Sequence, residues 1–270
     1  MSNKQIFFAQ NILVDLCTLW ELETDCYEYD SVTGNSGTSG ETQLLISSGG
    51  TKLYILERTA KIGYQWDLST PWDLSTATVE KSKSFGGTYA TYGWWLSEDG
   101  TMVFIVRRDT SSGQRSQLER WDLSVAWDIS TATYNSISPF LTGNFSNTVA
   151  IGSGGTKVYT YVPNDSEIYQ HSMGTPYDPT TVTYDTKSWD TGGITTWEQI
   201  YLKPDGTKWY TDTGKQVNMN TPYDITTSTI IRTFDPLNSN GGITFRPDGS
   251  RFYTINDLTN LIKQYSYLGA

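Results

Sequence analysis

Long apolar runs are missing from this 270-residue chain, and no stretch approaches the roughly 20 apolar residues that a membrane-spanning helix needs. The first residues, MSNKQIFFAQNILVDL, lack a basic segment followed by a clean apolar run, so no secretory signal is expected. Positive charge is also scarce, since 19 Lys and Arg against 29 Asp and Glu give a formal net charge of −10. Because an acidic surface repels phosphate backbones, we expect no nucleic-acid partner, and we expect no membrane insertion.

Cysteine and histidine are nearly absent, which limits metal, redox and nucleophilic chemistry. Cys17 and Cys26 could pair, but their spacing matches no metal or redox motif, and free or buried thiols are the favoured interpretation. The single histidine, His171, has no cysteine or acidic partner at ligand spacing and does not predict a metal site. Nucleophile motifs such as G-x-S-x-G are missing too. We therefore expect no enzymatic activity, no metal and no cofactor.

Aromatic residues and glycine are abundant instead, and they recur in two repeated phrases. The 10 Trp, 18 Tyr, 9 Phe and 24 Gly favour strands joined by tight turns. The first phrase, IGYQWDLSTPWDLSTATV at residues 62–79, returns at 117–134 and more loosely at 168–184 and 217–230. The second phrase reads SSGGTKLYIL, SEDGTMVFIV, GSGGTKVYTY, KPDGTKWYTD or RPDGSRFYTI. Two phrases that alternate at a fixed period indicate a repeat architecture.

The second phrase sets the period of the repeat. Its Gly-Thr or Gly-Ser step recurs at intervals of 50, 55, 51 and 43 residues, ending at Thr51, Thr101, Thr156, Thr207 and Ser250. A propeller blade has four strands and roughly 40–50 residues. Each unit contains, in order, an apolar triplet, a glycine turn, an apolar-aromatic pair, the first phrase and a Thr- and Tyr-rich segment. We therefore predict an all-β fold of four-stranded antiparallel blades, with strand A nearest the axis and strand D at the outer edge.

The two ends of the chain carry complementary parts of one unit. VDLCTLWELETDCY, from Val14, aligns without a gap on WDLSTPWDLSTATV, so residues 25–32 are predicted to be a D strand with no preceding A or B strand. The last unit has A, B and C strands and no D strand. The first D strand is therefore predicted to complete the last blade and close a five-bladed ring; six blades, one of them damaged, is the alternative. Residues 1–16 are predicted to be a separate arm or extra edge strand, and residues 17–270 a single propeller domain.

Residues that repeat at one place in every unit are predicted to be structural. Aspartates of the two turns are expected to accept hydrogen bonds from their own backbone two residues on. These are Asp73, Asp128, Asp178, Asp224, Asp99, Asp205 and Asp248. The repeated tryptophans Trp66, Trp72, Trp121 and Trp127 are expected to pack blade on blade. His171 falls in the column of Trp66 and Trp121, so it is expected to replace a packing aromatic.

A local function is expected where the repeat breaks, on the D–A and B–C loops, which share one face of a propeller. Aromatic, Asn, Asp and Arg residues on a rigid scaffold suit a carbohydrate, since a flat ring covers the sugar face and planar polar groups bind hydroxyls. The predicted contact residues are Tyr92, Trp197, Asn240, Arg107, Arg108, Arg115, Asp165 and Asp257. The 107–115 loop is the only basic cluster and the best candidate for a partner contact, with an ordinary solvated loop as the alternative.

The phrases S-x-D-G-T-K-x-Y and Y-Q-W-D-L-S-T-P-W-D-L-S-T-A-T resemble a β-propeller repeat of marine bacteria and their bacteriophages, over residues 14–267. With no signal peptide expected, the resemblance implies a virion protein of the tail, fibre or head surface, made in the host cytoplasm. It also implies an oligomer that contacts other virion proteins and host-surface glycans. The blade count resembles tachylectin-type sugar-binding propellers, so a stand-alone lectin is an alternative. A glycosidase is a second alternative, which needs carboxylates such as Glu57, Glu198, Asp212 and Asp257 to converge at the axis.

Overall fold

The chain folds as a closed ring of five β-sheets. The computed structural model describes residues 19–20, 27–35, 42–87, 89–109, 115–192, 199–234, 241–256, 259 and 261–268. Within them, twenty strands form five four-stranded antiparallel sheets. The predicted five-bladed propeller is confirmed, and the six-bladed alternative is not what forms.

Each blade is a meander whose strands A, B, C and D lie side by side in chain order. Blade 1 contains β2 (Thr42–Ile46), β3 (Lys52–Glu57), β4 (Ile62–Leu68) and β5 (Ala77–Ser84). Blade 2 contains β6 (Ala90–Leu96), β7 (Met102–Asp109), β8 (Arg115–Leu123) and β9 (Ala132–Ile137). Blade 3 contains β10 (Thr148–Gly152), β11 (Lys157–Val162), β12 (Glu167–Met173) and β13 (Val182–Asp190). Blade 4 contains β14 (Ile200–Leu202), β15 (Lys208–Thr211), β16 (Lys215–Met219) and β17 (Ser228–Thr233).

Blade 5 joins the two ends of the chain. It contains β18 (Gly242–Phe245), β19 (Arg251–Asn256), β20 (Leu261–Tyr267) and β1 (Tyr27–Asn35) as its D strand. β1 pairs antiparallel with β20, from Tyr27 opposite Tyr267 to Asn35 opposite Leu261. The A strands β2, β6, β10, β14 and β18 contact one another in that order, and β18 contacts β2. The predicted closure is therefore confirmed; the D strand ends at Asn35 rather than at residue 32, and residues 25 and 26 of the prediction lie outside the described residues.

The core of the molecule lies between blades rather than inside any one of them. B strands bury side chains on both faces, as in β3, where Leu53, Tyr54, Ile55 and Leu56 are at most 2% exposed. Leu53 and Ile55 pack in one cluster with residues of blade 5, while Tyr54 and Leu56 pack with residues of blade 2. Burying one such side chain contributes roughly 1.5–3 kcal/mol, so each sheet is stabilised mainly by its two neighbours.

An aromatic residue that precedes the D strand packs on a glycine of the A–B turn in every blade. In blade 1, Trp72 has φ 67° and its N–H donates to the Gly50 carbonyl at 2.9 Å. Gly50 itself has φ 71°, and a Cβ there would lie 2.2 Å from the indole. Only glycine combines this backbone conformation with so close an approach. The same pairing recurs at Trp127 and Gly100, Tyr177 and Gly155, Tyr223 and Gly206, and Trp20 and Gly249.

A tyrosine of strand B fastens its blade to that same aromatic turn in the next blade. The Tyr54 hydroxyl donates to the Trp127 carbonyl at 2.7 Å, and Tyr253 donates to Trp72 at 2.7 Å. In the same way, the Tyr159 hydroxyl donates to the Tyr223 carbonyl at 2.7 Å, and the Tyr210 hydroxyl donates to the Trp20 carbonyl at 2.6 Å. A polar bond at the edge of each apolar interface fixes the relative position of neighbouring sheets.

Blade 2 departs from this scheme through compensating substitutions. It has Phe104 in the tyrosine position, and the Arg120 guanidinium donates to the Tyr177 carbonyl of blade 3 at 3.0 Å instead. In blades 1, 3 and 5 a strand C glutamine occupies the place of Arg120 and accepts a backbone N–H from the next blade. These bonds run from Ile129 to Gln65, from Ile225 to Gln170 and from Leu74 to Gln264. In blade 3 the residue that corresponds to Ile129, Ile225 and Leu74 is Pro179, which has no N–H to donate to a glutamine.

The repeated polar residues have the structural roles predicted for them. Asp73, Asp128, Asp178 and Asp224 each cap a one-turn 3₁₀ helix by accepting the N–H two residues on. These helices are Leu74–Thr76, Ile129–Thr131, Pro179–Thr181 and Ile225–Thr227. Asp99, Asp205 and Asp248 in the A–B turns also accept the backbone N–H two residues on.

His171 is confirmed as a packing residue. It is 1% exposed, its ring lies 5.6 Å from that of Tyr184, and its Nε2 accepts the Thr142 N–H at 3.2 Å. Burial lowers the pKa of His171 to about 4, so the ring is neutral at pH 7.

Several expectations concern residues that the structure does not describe. Cys17, Cys26 and the predicted arm at residues 1–16 lie outside the described residues. Within the described ranges, His, Cys, Asp and Glu form no group of three that could hold a metal ion. In the same ranges, none of the helices has the length and apolar character needed to cross a bilayer.

Candidate ligand-binding site

Two glutamines close the ring axis at the face that carries the D–A and B–C loops. Gln43 accepts the Trp94 N–H at 2.9 Å and donates to the Asn147 carbonyl at 3.3 Å, which links blades 1, 2 and 3. Gln199 bonds both the N–H and the carbonyl of Leu44, at 3.1 and 2.9 Å, and so links blades 4 and 1. It passes over Gly242 of blade 5, where a Cβ would lie 2.3 Å from its Oε1.

The axis widens towards the opposite face into a cavity of about 400 Å³. Its wall includes the middle residue of the apolar triplet in each A strand: Leu45, Trp95, Ala150, Tyr201 and Thr244. Charged residues lie near the A–B turns, where Glu98 is exposed and Lys203 bonds Asp205 at 2.7 Å. Burial, and secondarily the charge of Glu98, raises the pKa of Tyr201. This cavity offers aromatic surface but no buried charge.

A second pocket, of about 240 Å³, lies on the loop face where blades 1, 2 and 3 meet. Arg58 follows β3, Tyr92 and Arg108 lie in β6 and β7, and the other lining residues flank β10 and β11. Those are Phe145, Asn147, Pro163 and Asn164. This is the face on which the sequence predicts a ligand site, and two of the predicted residues, Tyr92 and Arg108, meet here.

A β-bulge places Tyr92 in this pocket. The pairing of β6 with β7 shifts register between Thr91 and Trp94, whereas the A–B ladders of the other four blades run without a shift. Gly93 permits the bulge, because a Cβ there would lie 2.6 Å from the Thr148 Cα of blade 3. Bulges re-aim side chains and are common next to functional sites.

Two guanidinium groups lie against the Tyr92 ring. The Arg108 Cζ is 3.4 Å and the Arg58 Cζ 4.5 Å from the ring centroid. Arg108 also lies 4.8 Å from the centre of the Phe145 ring. Cations are attracted to aromatic faces at such distances, so the stack holds both arginines in place.

The Arg108 charge is buried against neutral groups only. The side chain is 8% exposed, and it donates to the Ser146 and Phe145 carbonyls at 2.9 and 3.4 Å and to the Asn147 side-chain oxygen. No ion pair to Arg108 exists within the described ranges. Burial lowers the pKa of Arg108 to about 10, which leaves the group charged at pH 7.

Arg107 has a different position from the one predicted. It lies inside strand β7 rather than in an exposed loop, and it is 1% exposed. Its Nε donates to Glu119 at 2.8 Å, and its amino groups donate to the Thr91 hydroxyl and the Phe85 carbonyl. Successive side chains of a strand point to opposite faces. Because Arg108 points to the pocket, Arg107 points the other way, into the interface between blades 1 and 2.

The remaining predicted contact residues are dispersed. Arg115 begins β8, is exposed, and lies 5.1 Å from the Phe140 ring. Asp165 adjoins the pocket residue Asn164 and accepts from Asn144 and Tyr169 at 3.2 and 3.1 Å. Trp197, Asn240 and Asp257 lie outside the described residues.

Arg58, Phe145, Asn147 and Asn164 complete the pocket and are not among the predicted contacts. They belong to the D–A and B–C segments that the sequence marks as variable. No sequence signal indicates which of these segments meet, because that depends on the packing of blades 1, 2 and 3.

Of the four carboxylates considered for a glycosidase, the two that the structure describes do not meet at either cavity. Glu57 accepts from the Tyr64 hydroxyl at 3.3 Å, and Asp212 is fully buried. Neither lines the axial cavity or the loop-face pocket. Glu198 and Asp257 lie outside the described residues.

No family model and no curated protein matches the chain. Similar solved structures include a putative 6-phosphogluconolactonase from Bacteroides fragilis, with 14% identity over 55% of this chain and 38% of that one, at a TM-score of 0.41. The Cps50 (Swd1) β-propeller domain of Myceliophteria thermophila is 10% identical over 87% of this chain and 99% of that one, at a TM-score of 0.49. The periplasmic gluconolactonase PpgL of Pseudomonas aeruginosa is 16% identical over 57% and 41%, at 0.41. The chain thus spans well under half the length of the two lactonase structures, and likenesses this low carry no argument about its activity.

Proposed function

We propose that this chain is a non-enzymatic adhesion module, a bacteriophage virion component that contacts host-surface carbohydrate through its D–A and B–C loop face. The observation that carries the proposal is the bulge in β6, which brings Tyr92 beside Arg58 and Arg108 in a pocket with the amides of Asn147 and Asn164. An aromatic ring and planar polar groups are the side chains that sugars require. The resemblance of the repeat to marine bacterial and phage propellers supports the virion assignment.

The chemistry of the pocket favours binding over catalysis. Its lining residues are two arginines, one tyrosine, two asparagines, one phenylalanine and one proline. Hydrolysis of a glycosidic bond ordinarily uses a pair of carboxylates, and among the residues that the structure describes none of those lining this pocket is a carboxylate. A volume of about 240 Å³ is below the roughly 300–1,000 Å³ of drug-sized sites, which suits one sugar unit or substituent.

Glycan binding by three proteins tests this function: the wild type, Tyr92→Ala and Glu98→Gln. We expect the wild type to bind members of a broad glycan panel and Tyr92→Ala to lose about tenfold in affinity, since the ring that holds Arg58 and Arg108 in place is removed. Glu98→Gln changes an exposed residue at the mouth of the axial cavity on the other face, so it should bind like the wild type. Loss of binding in Glu98→Gln with retention in Tyr92→Ala would place the contact on the wrong face for this proposal.

Co-sedimentation with assembled phage particles tests the virion assignment separately. A chain that binds glycans but never accompanies particles would be a stand-alone lectin. A chain that binds no glycan on the panel and accompanies no particle would overturn both parts of the proposal.

A further inference from the structure

We infer that the loop-face pocket binds an anionic group, a carboxylate or a sulfate ester carried on the sugar. That the ligand is a sugar rests on the proposed function, whereas the inference that it carries an anionic group rests on the structure of the pocket itself. The ligand class is therefore an acidic saccharide rather than a neutral one.

The unpaired charge of Arg108 is the main argument. Taking a guanidinium out of water is costly unless an opposite charge accompanies it. Arg108 is more than nine-tenths buried, yet its hydrogen bonds go to two carbonyls and an amide, which are neutral. An oxyanion in the pocket supplies the missing charge.

The neighbouring residue shows how this chain treats a buried arginine that has a structural role. Arg107 is also buried in the same strand, and it is paired with Glu119 at 2.8 Å. Thus one of two adjacent guanidinium groups is neutralised inside the protein, and the other is left charged at a pocket. This contrast is difficult to explain if Arg108 only supports the fold.

The surroundings of the pocket restrict the type of anion. Arg58 is 5% exposed and lies beside the same tyrosine ring, so a second guanidinium borders the space. The nearby carboxylate, Asp165, bonds Asn144 and Tyr169 rather than Arg108. Planar guanidinium groups bind carboxylate, sulfate and phosphate oxygens in bidentate geometry. Because the chain has a net charge of −10, a long polyanion would be repelled, and a single acidic substituent fits better.

A substitution of matched charge provides the test. Arg108→Gln removes the buried charge, Arg115→Gln removes an exposed one, and Arg108→Lys keeps the charge without the fork geometry. Thermal unfolding is measured in sodium sulfate and in sodium chloride of equal ionic strength. Because sulfate stabilises folded proteins in general, we expect it to raise the melting temperature of the wild type and of Arg115→Gln more than that of Arg108→Gln. Equal sulfate effects in all three proteins would refute the anion site.

Calorimetric titration with sugar pairs then identifies the source of the anion. The pairs are glucuronate with glucose and galactose 6-sulfate with galactose. We expect one acidic member to bind about tenfold more tightly than its neutral partner, and this ratio to fall to about one in Arg108→Gln. Arg108→Lys should retain part of the preference. The pair with the larger ratio of affinities indicates whether the pocket binds a carboxylate or a sulfate ester.

The outcomes separate this inference from the proposed function. If neutral sugars bind as well as acidic ones in every variant, the anion inference falls and the carbohydrate function stands. If sulfate stabilises the protein through Arg108 but no sugar binds, the anion site stands and the carbohydrate function falls. Should Arg108→Gln fail to fold by near-ultraviolet circular dichroism, the comparison of wild type, Arg115→Gln and Arg108→Lys decides.

Discussion

The hydroxyl of Tyr253 donates to the main-chain carbonyl of Trp72 at 2.7 Å, and this bond joins the last blade to the first. The two residues are 181 positions apart in the chain. Arg251 donates to the same carbonyl at 3.0 Å, so this junction has two donors. The Trp127 carbonyl, by contrast, receives the Tyr54 hydroxyl at 2.7 Å as its side-chain donor.

Removing a hydroxyl should therefore cost more at one junction than at the other. We expect Tyr54→Phe to lower the free energy of unfolding by about 1–2 kcal/mol, because the Trp127 carbonyl is left without that donor. Tyr253→Phe should lose less, since Arg251 still serves the Trp72 carbonyl. Urea denaturation of the two variants compares them, and equal losses would contradict this explanation.

The junction between blades 2 and 3 should show coupling between Phe104 and Arg120. Arg120→Gln deprives the Tyr177 carbonyl of its donor and places a glutamine opposite Pro179, so we expect a loss of about 1 kcal/mol. Adding Phe104→Tyr should recover most of that loss, because the new hydroxyl can reach the freed carbonyl. A double-mutant cycle measures the coupling, and simple additivity would argue against compensation.

Two adjacent glycines should differ in their tolerance of alanine. Gly50 has φ 71°, and a Cβ there would lie 2.2 Å from the Trp72 ring, so Gly50→Ala should cost about 2–4 kcal/mol. Gly49 has no atom within 4 Å of the corresponding position, and Gly49→Ala should change stability by less than about 0.5 kcal/mol. Thermal unfolding of both variants provides the check, with Gly49→Ala as the matched control.

His171 should make the stability of the protein fall in mild acid. Its folded pKa of about 4 is below the unfolded value of 6.5, so the unfolded chain binds more protons between these pH values. The contribution is therefore fully present above pH 6.5 and is lost as the pH falls towards 4, to a total of about 3 kcal/mol. His171→Gln keeps an acceptor for the Thr142 N–H without titrating. Its unfolding free energy should vary less with pH over this range, and an unchanged slope would exclude His171 as the cause.

The repeat made the architecture accessible from the sequence. Five copies of the glycine turn define the blades, and a half unit at each end predicts the closure between residues near Tyr27 and Tyr267. The turn aspartates were also predictable, because Asp73 and its equivalents occupy one position in successive units. Averaging over copies strengthens such signals, since each copy faces the same physical constraints.

The pocket depends on features that do not repeat, and it could be predicted only in outline. The dipeptide Arg107-Arg108 does not reveal which guanidinium is internal, because the bulge at Tyr92 and Gly93 sets the local geometry. Arg58 and Asn164 come from loops about a hundred residues apart, and only blade packing brings them to one pocket. Gln43 and Gln199 cross the axis in two units out of five, so the repeat gives no indication of them.

The pairing of β1 with β20 has a mechanical consequence. Tyr27 lies opposite Tyr267, so the start of β1 and the end of β20 lie at the same end of one antiparallel ladder. Tension applied between those two points opens the ladder one pair at a time, as a zip opens, instead of loading all of its hydrogen bonds together. If the chain were held at both of these points, tension would open the ring at low force, whereas attachment through one of them alone would leave this ladder unloaded.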